Sequence, residues 1–330
     1  MTSPIPASRL RDYLEHAVKG ERYPAVQLAI ELHDTGVRFE DVIDDLLAIA
    51  QREVGERWFR NVLTVADEHV ASGIAAAALD ALAADILDSE GVGHTVVVCA
   101  EGEWHWLAAQ MLGEGLRSAG ERVTVLGGST PADVVGEFLI RHAAESLAVS
   151  CSMPAFFPGV WTMVRAAHRH GIPVIAGGRA FGATADRSER LGADAWAPTA
   201  PDAAGILERW REHPPDAAAP PPALDPVGLT LIRDAKVVVS GAEIEPNDVS
   251  DQDPGSVSLA EHWELAVQAL GAAIIVADDE VYLDHMAWLR DLQAVRGVDP
   301  GRQARELKRV RAAIADTAPE TLTLFERGCR

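Results

Sequence analysis

The stretch HTVVVCAEGEWHW, His94 to Trp106, decides the fold. Its first seven residues, His94–Ala100, form a short β-branched and apolar run with no polar alternation. A run of that length, apolar on both faces, predicts a strand covered on both sides, as in a parallel sheet. Reading outward, the same signal recurs at RVTVLGG (122–128), LAVSCS (147–152), PVIAGG (173–178) and ADAWAP (193–198). Helical segments fall between these runs, over about 104–119, 131–143, 157–170 and 184–191. Gly120 ends the first of them and Pro131 opens the second, where a missing N–H costs little. Strands alternating with helices predict βαβ units in an α/β fold: a five-stranded, parallel, doubly wound (flavodoxin-like) sheet. The loops leaving its strand C-termini are then the ligand face.

The pattern differs on either side. From residue 7 to about 89, apolar residues return every three or four positions, as in Leu10, Tyr13, Leu14, Val18 and in Val42, Leu46, Leu47, Val54. Thr64 is placed to cap a helix running through HVASGIAAAALDALAADIL, with Asp67 at its third position. This predicts a four-helix cap over residues 1–89, ahead of a sheet domain over 90–213. Clustered proline and alanine predict a stiff linker over 214–226. Residues 227–330 read as a mostly helical domain, although LTLIRDAKVVVSGAEI at its start is compatible with helix or extended chain.

The 330 residues carry 29 Lys and Arg against 50 Asp and Glu, a formal charge of −21, and the acidic excess is spread along the chain. Such a surface repels phosphate backbones and anionic membranes, so direct nucleic-acid and membrane binding are disfavoured. Cys99, Cys151 and Cys329 form no disulfide framework, which suits a cytoplasmic setting. The N-terminus lacks a signal-peptide core, and no membrane span is expected.

The chemistry gathers on the expected ligand face. His105, in the loop after the first strand, can offer a neutral imidazole nitrogen to a metal, and Glu103 can take its other ring N–H and set the tautomer. Ser150 and Ser152 end the third strand with hydroxyls for a polar ligand. Gly177 and Gly178 end the fourth and allow close approach to the backbone. On the cap, Trp58 precedes Glu68-His69 by nine intervening residues. Neighbours on a helix point about 100° apart, so Glu68 and His69 suit one large ligand rather than one atom.

Residues 90–200 resemble the cobalamin-binding domain of the methionine-synthase type, whose Asp-x-His-x-x-Gly, Ser-x-Leu and Gly-Gly motifs read here as Glu103-Trp104-His105-Trp106-Leu107-Ala108, Ser150-Cys151-Ser152 and Gly177-Gly178. Ala108 for Gly and Ser152 for Leu are departures. The resemblance implies His105 as the lower axial cobalt ligand and Ser150 near the buried nucleotide tail. The cap motif is similar to that of cobalamin-dependent photoreceptors that repress carotenoid genes in the dark. In those proteins the motif covers an adenosyl group, which implies adenosylcobalamin between Trp58, Glu68 and His69 above and His105 below. Two features depart from that family: no DNA-binding domain precedes the cap, and Phe59 stands where the family has a second cobalt-ligating histidine.

A cobalamin cap and sheet followed by a helical domain also resembles the photocobilins, which pair cobalamin with biliverdin. That implies a noncovalent bilin contacted by His262, Trp263, His285 and Trp288, which offer donors and stacking faces. The expected function is a light sensor, not an enzyme: loss of the adenosyl group shifts the cap and alters self-association or a contact with a signalling partner. The alternative is a corrinoid shuttle protein for methyl transfer, which would use the same fold and the same His105.

Overall fold

The computed structural model describes residues 5–60, 62–84, 91–244 and 259–329. The cap–sheet boundary near residue 89 and the acidic stretch 247–256 lie outside them. The cap comprises α1 (Ala7–Val18), α2 (Arg22–Asp34), α3 (Phe39–Val42), α4 (Ala48–Phe59) and α5 (Val65–Ala83). A π-helical turn, Ile43–Leu47, joins α3 to α4 without a break, so the chain makes the four helical passes that the periodicity predicts. Tyr13, Leu28, Leu46, Leu47 and Leu79 fill its core. Alanines at 71, 75 and 78 are fully buried on α5, which lets the other helices approach closely.

The sheet follows: β1 (Val92–Cys99), α6 (Leu107–Ser118), β2 (Glu121–Val125), α7 (Ala132–Arg141), β3 (Ser146–Ser150), α8 (Phe157–His168), β4 (Val174–Gly177), α9 (Asp186–Arg190), β5 (Ala195–Trp196) and α10 (Ala200–Glu212). All strands pair in parallel, in the order β2-β1-β3-β4-β5. The two-residue period of a strand divides the core. Val97, Cys99, Ala148 and Ile175 pack in the core layer that holds Ala109, Leu116 and Ile206 of α6 and α10. Val96, Val98, Leu147 and Val149 share the other layer with Val135 and Leu139 of α7 and Val160 and Val164 of α8. From β1 the chain moves outward to β2, then crosses to β3 on the other side. The switch point therefore lies between β1 and β3, where a crevice opens beyond the strand ends.

The C-terminal segment is helical throughout its described residues: α11 (Pro226–Gly241), α12 (Leu259–Val276), α13 (Glu280–Val295), α14 (Pro300–Thr317) and α15 (Leu322–Gly328). The ambiguous LTLIRDAKVVVSG is helix because Asp225 caps it, accepting from Val227 N at 2.8 Å and Gly228 N at 3.1 Å. α11 and α12 cross at glycines: a Cβ on Gly228 or on Gly271 would lie 2.6 Å from the other's carbonyl oxygen. The long helical run after residue 259 breaks at Ala277, whose φ is +52°. There Asp278 accepts from Glu280 N (3.0 Å) and from Arg187 Nε (2.7 Å), tying the break to α9.

α12 is apolar and long enough to cross a membrane by length and composition, but 67% of its window is buried, with Trp263 and Leu270 in one core with Phe157 and Phe181 of the sheet domain. The helical bundle and the sheet therefore share a continuous core. The proline-rich segment between them lies against the sheet domain: Trp161 Nε1 donates to Pro222 O (2.7 Å) and His168 Nδ1 to Ala219 O (2.7 Å).

Candidate cobalamin site

The loop after β1 turns at Gly102, whose φ of +90° favours glycine. It is fixed by its own backbone: Glu103 N donates to Ala100 O (3.0 Å) and Ser129 N to Glu103 O (2.7 Å). This puts the Glu103 side chain inside, 1% exposed, and leaves His105 58% exposed. Glu103 Oε1 accepts from His105 Nδ1 (3.1 Å), and both carboxylate oxygens accept from Ser152 N (3.0 and 3.1 Å). One buried carboxylate thus ties the loops after β1 and β3 across the switch point and fixes the imidazole. With Nδ1–H given to Glu103, the lone pair of His105 sits on Nε2, as an axial metal ligand requires. The hydrogen bond donated to Glu103 raises the His105 pKa above its ordinary value, burial opposes this, and the charges of Glu103 and Glu68 add to the rise.

Ser150 is buried at the end of β3, and Ser152 faces Glu103 through its backbone N–H. Gly177 and Gly178 are demanded by the chain itself: a Cβ on Gly177 would lie 2.5 Å from Ala197 O, and one on Gly178 (φ +105°) 2.4 Å from Cys151 O. Close backbone packing therefore accounts for both glycines, with or without a ligand beside them. Burial pushes the Cys99 thiol up to about 12 and raises Cys151 well above its ordinary value, so both thiols stay protonated and unreactive. Trp104 and Trp106, 73% and 42% exposed, flank His105. The motif reading passed them over, although indoles left in water beside a candidate ligand are themselves a sign of a binding face.

The cap packs on α6, the helix that follows this loop. Leu107 and Met111 of α6 pack into the cap core, and Gln110 Nε2 donates to Asp80 Oδ1 (2.5 Å). A capping box starts α5: Asp67 N donates to Thr64 Oγ1 (3.2 Å) and Thr64 N to Asp67 Oδ2 (2.9 Å). Glu68 and His69 follow in its first turns. Glu68 Oε1 accepts from Ser72 Oγ (2.7 Å), and its charge adds to the rise in the His105 pKa. His69 Nε2 lies 3.5 Å from Glu68 Oε2 and its side chain is 74% exposed. Trp58, at the end of α4, is half-buried against the cap core, with the Arg296 guanidinium 5.4 Å from its ring centroid. Phe59 lies against Trp288 of the C-terminal bundle (5.9 Å between centroids, tilted by 42°).

Three of the four aromatic and histidine positions in the C-terminal domain meet: Trp288 is 5.3 Å from His285 and 6.1 Å from His262. Trp263 is engaged elsewhere, its Nε1 donating to Glu306 Oε2 (3.1 Å). Burial, then the neighbouring His262, lowers the His285 pKa to about 4, so its ring is neutral near pH 7.

The doubly wound sheet, its helical cap and the carboxylate-held histidine between them define a cobalamin-binding protein. Residues 93–208 match the family described as B12 binding domain, and residues 9–83 match a second family of the same description. The chain is 34% identical over 154 residues to the HTH-type transcriptional repressor CarH of Myxococcus xanthus, covering 45% of this chain and 50% of the relative. It thus spans about half the length of that curated relative. In fold it resembles the Methanosarcina barkeri monomethylamine corrinoid protein, with a TM-score of 0.53 and 20% identity over 62% of this chain and 99% of that one.

Proposed function

We propose that this protein is a light sensor that holds adenosylcobalamin between cap and sheet. The observation that carries the reading is a carboxylate-oriented His105 on the loop leading into α6, the helix whose Leu107 and Met111 pack into the cap that bears Trp58, Glu68 and His69. Likeness to a transcriptional repressor, rather than to an enzyme, supports it. Adenosylcobalamin supplies a cobalt–carbon bond that visible light breaks. The protein's part is to hold and to sense. His105 would hold cobalt through Nε2, with Glu103 keeping its tautomer. Ser150, Ser152, Gly177 and Gly178 border the crevice that takes the nucleotide tail. Trp58 covers the upper group, and Glu68 and His69 bond its polar edge. Loss of the upper group would cost the cap about 24 cal/mol per Å³ of unrelaxed cavity, which would favour a shift of Trp58, Glu68 and His69. The output is a changed protein surface, felt by a second copy or a signalling partner in the cytoplasm. With a net charge of −21, that output does not run through a direct grip on a phosphate backbone.

The proposal extends to a noncovalent biliverdin beside His262, Trp263, His285 and Trp288. His285 Nε2 is buried with no hydrogen-bond partner among the described residues, which suits a neutral imidazole facing a pyrrole ligand. Covalent attachment through Cys329 is disfavoured, because burial pushes its thiol up to about 11.

The test is the absorption spectrum of the adenosylcobalamin-loaded protein before and after green light. Changed bands support the sensor. Unchanged bands favour the corrinoid shuttle, for which the 74% exposure of His69 would leave the upper face open to an enzyme partner. A far-red band in protein produced with biliverdin as well decides the second chromophore.

A further inference from the structure

We infer that Arg296 of the C-terminal bundle is a positioning residue for the upper-face lid, so that retention of the group above cobalt depends on a domain that does not bind it. The inference rests on the lid reading of Trp58. α4 ends on Trp58 and Phe59, two neighbours whose side chains diverge by about 100°. Both are met by α13 and its C-cap residue. The Arg296 guanidinium stands 5.4 Å from the Trp58 ring centroid, within the range at which a cation is drawn to an indole face. Phe59 meets Trp288 at 5.9 Å, and Trp288 is itself backed by His285 and His262.

The placement of the cation follows from the fold. Arg296 caps the C-terminal end of α13, its N–H donating to Leu292 O (3.0 Å), where the helix dipole favours a positive charge. The residue that carries the charge is thus anchored by its backbone, with its guanidinium beside Trp58. An indole gripped on one face by a fixed cation has less freedom to rotate than one held by the cap core alone. Phe59 supplies the anchor, which gives a use to the position where the resembling photoreceptors place a second histidine. Coupling of this kind is reciprocal: if the bundle orders the lid for a bulky upper group, that group tightens the contact between cap and bundle.

The experiment titrates the full chain with adenosylcobalamin and with hydroxocobalamin, following absorbance, for wild type, Trp58→Ala, Arg296→Met and Arg296→Lys. Melting temperatures check that each variant is folded. Arg296→Met is expected to weaken adenosylcobalamin about fivefold while leaving hydroxocobalamin unchanged. Arg296→Lys, which keeps a cation at that place, is expected to recover most of that loss. A purely structural contact would move both cobalamins together and would show no rescue by lysine. If Trp58→Ala separates the two cobalamins and Arg296→Met does not, Arg296 has no positioning role and the inference fails alone. If Trp58→Ala fails to separate them, the lid reading fails and takes this inference with it.

Discussion

The two residue sets proposed to hold the corrin from below and above are built in opposite ways. Below, Glu103 is 1% exposed and both its oxygens are engaged, so His105 is held before any ligand arrives. Above, His69 is 74% exposed, its contact with Glu68 is 3.5 Å long, and the ring of Trp58 has the Arg296 guanidinium of another domain 5.4 Å from its centroid. The lower face is preorganised and the upper face is adaptable. Tight, satisfied polar networks suit a ligand that should stay through every state. A half-exposed roof suits a group that must come and go.

The comparison breaks most visibly at Glu103. Replacing the carboxylate that orients a metal-bound histidine commonly costs 10–100-fold in affinity, and Glu103→Gln is expected to lose about that much cobalamin binding. Glu68→Gln is expected to cost far less, because Glu68 is partly solvated. Equal losses in the two titrations would mean that the faces are not built differently. His105→Ala tests the same face by spectrum: the bound cobalamin should turn to the form lacking a lower nitrogen ligand, and an unchanged spectrum removes His105 as the ligand.

The upper face gives the next largest effect. Trp58→Ala is expected to weaken adenosylcobalamin by roughly tenfold, the scale of one lost aromatic contact, while hydroxocobalamin changes less than about twofold. Parallel losses for both would show that Trp58 supports the cap core and does not cover an upper group.

The lower face was readable in the sequence for the same reason that it is rigid. Glu103 and His105 are two residues apart on one loop after an unmistakable strand, so their meeting needs no tertiary information. The sheet was readable because β-branched runs alternate with helical ones, and the Thr64–Asp67 box because capping is local. The upper face was half readable. The spacing of Trp58 and Glu68-His69 picked out the cap, but nothing local links Trp58 to Arg296 or Phe59 to Trp288. The break at Ala277 was hidden because its cause is Arg187, far away in sequence, reaching Asp278. Gly177 and Gly178 showed the converse. Their pairing suggested room for a ligand, and backbone oxygens of Ala197 and Cys151 already account for it.

The preorganised half extends to the back of the sheet, which gives the smallest prediction. His168 Nε2 donates to Asp194 Oδ2 (2.8 Å) while Nδ1 donates to Ala219 O (2.7 Å), with the ring 6% exposed. A carboxylate and a carbonyl both accept, so the two bonds coexist only in the imidazolium form. Burial pulls the His168 pKa down, but the hydrogen bond and charge of Asp194 and the Ala219 carbonyl outweigh it, leaving the value above its ordinary 6.5. A folded-state value raised above the unfolded one stabilises the fold fully below pH 6.5 and loses that contribution as pH climbs through the raised value. Urea midpoints of the wild type are therefore expected to fall from about pH 6.5 upward, while those of His168→Gln stay nearly level. A constant gap between the two proteins across that window would mean that His168 is neutral in the fold. The proline-rich segment would then be held by Trp161 and packing, without a charge, and the rigid half of the molecule would end at the sheet.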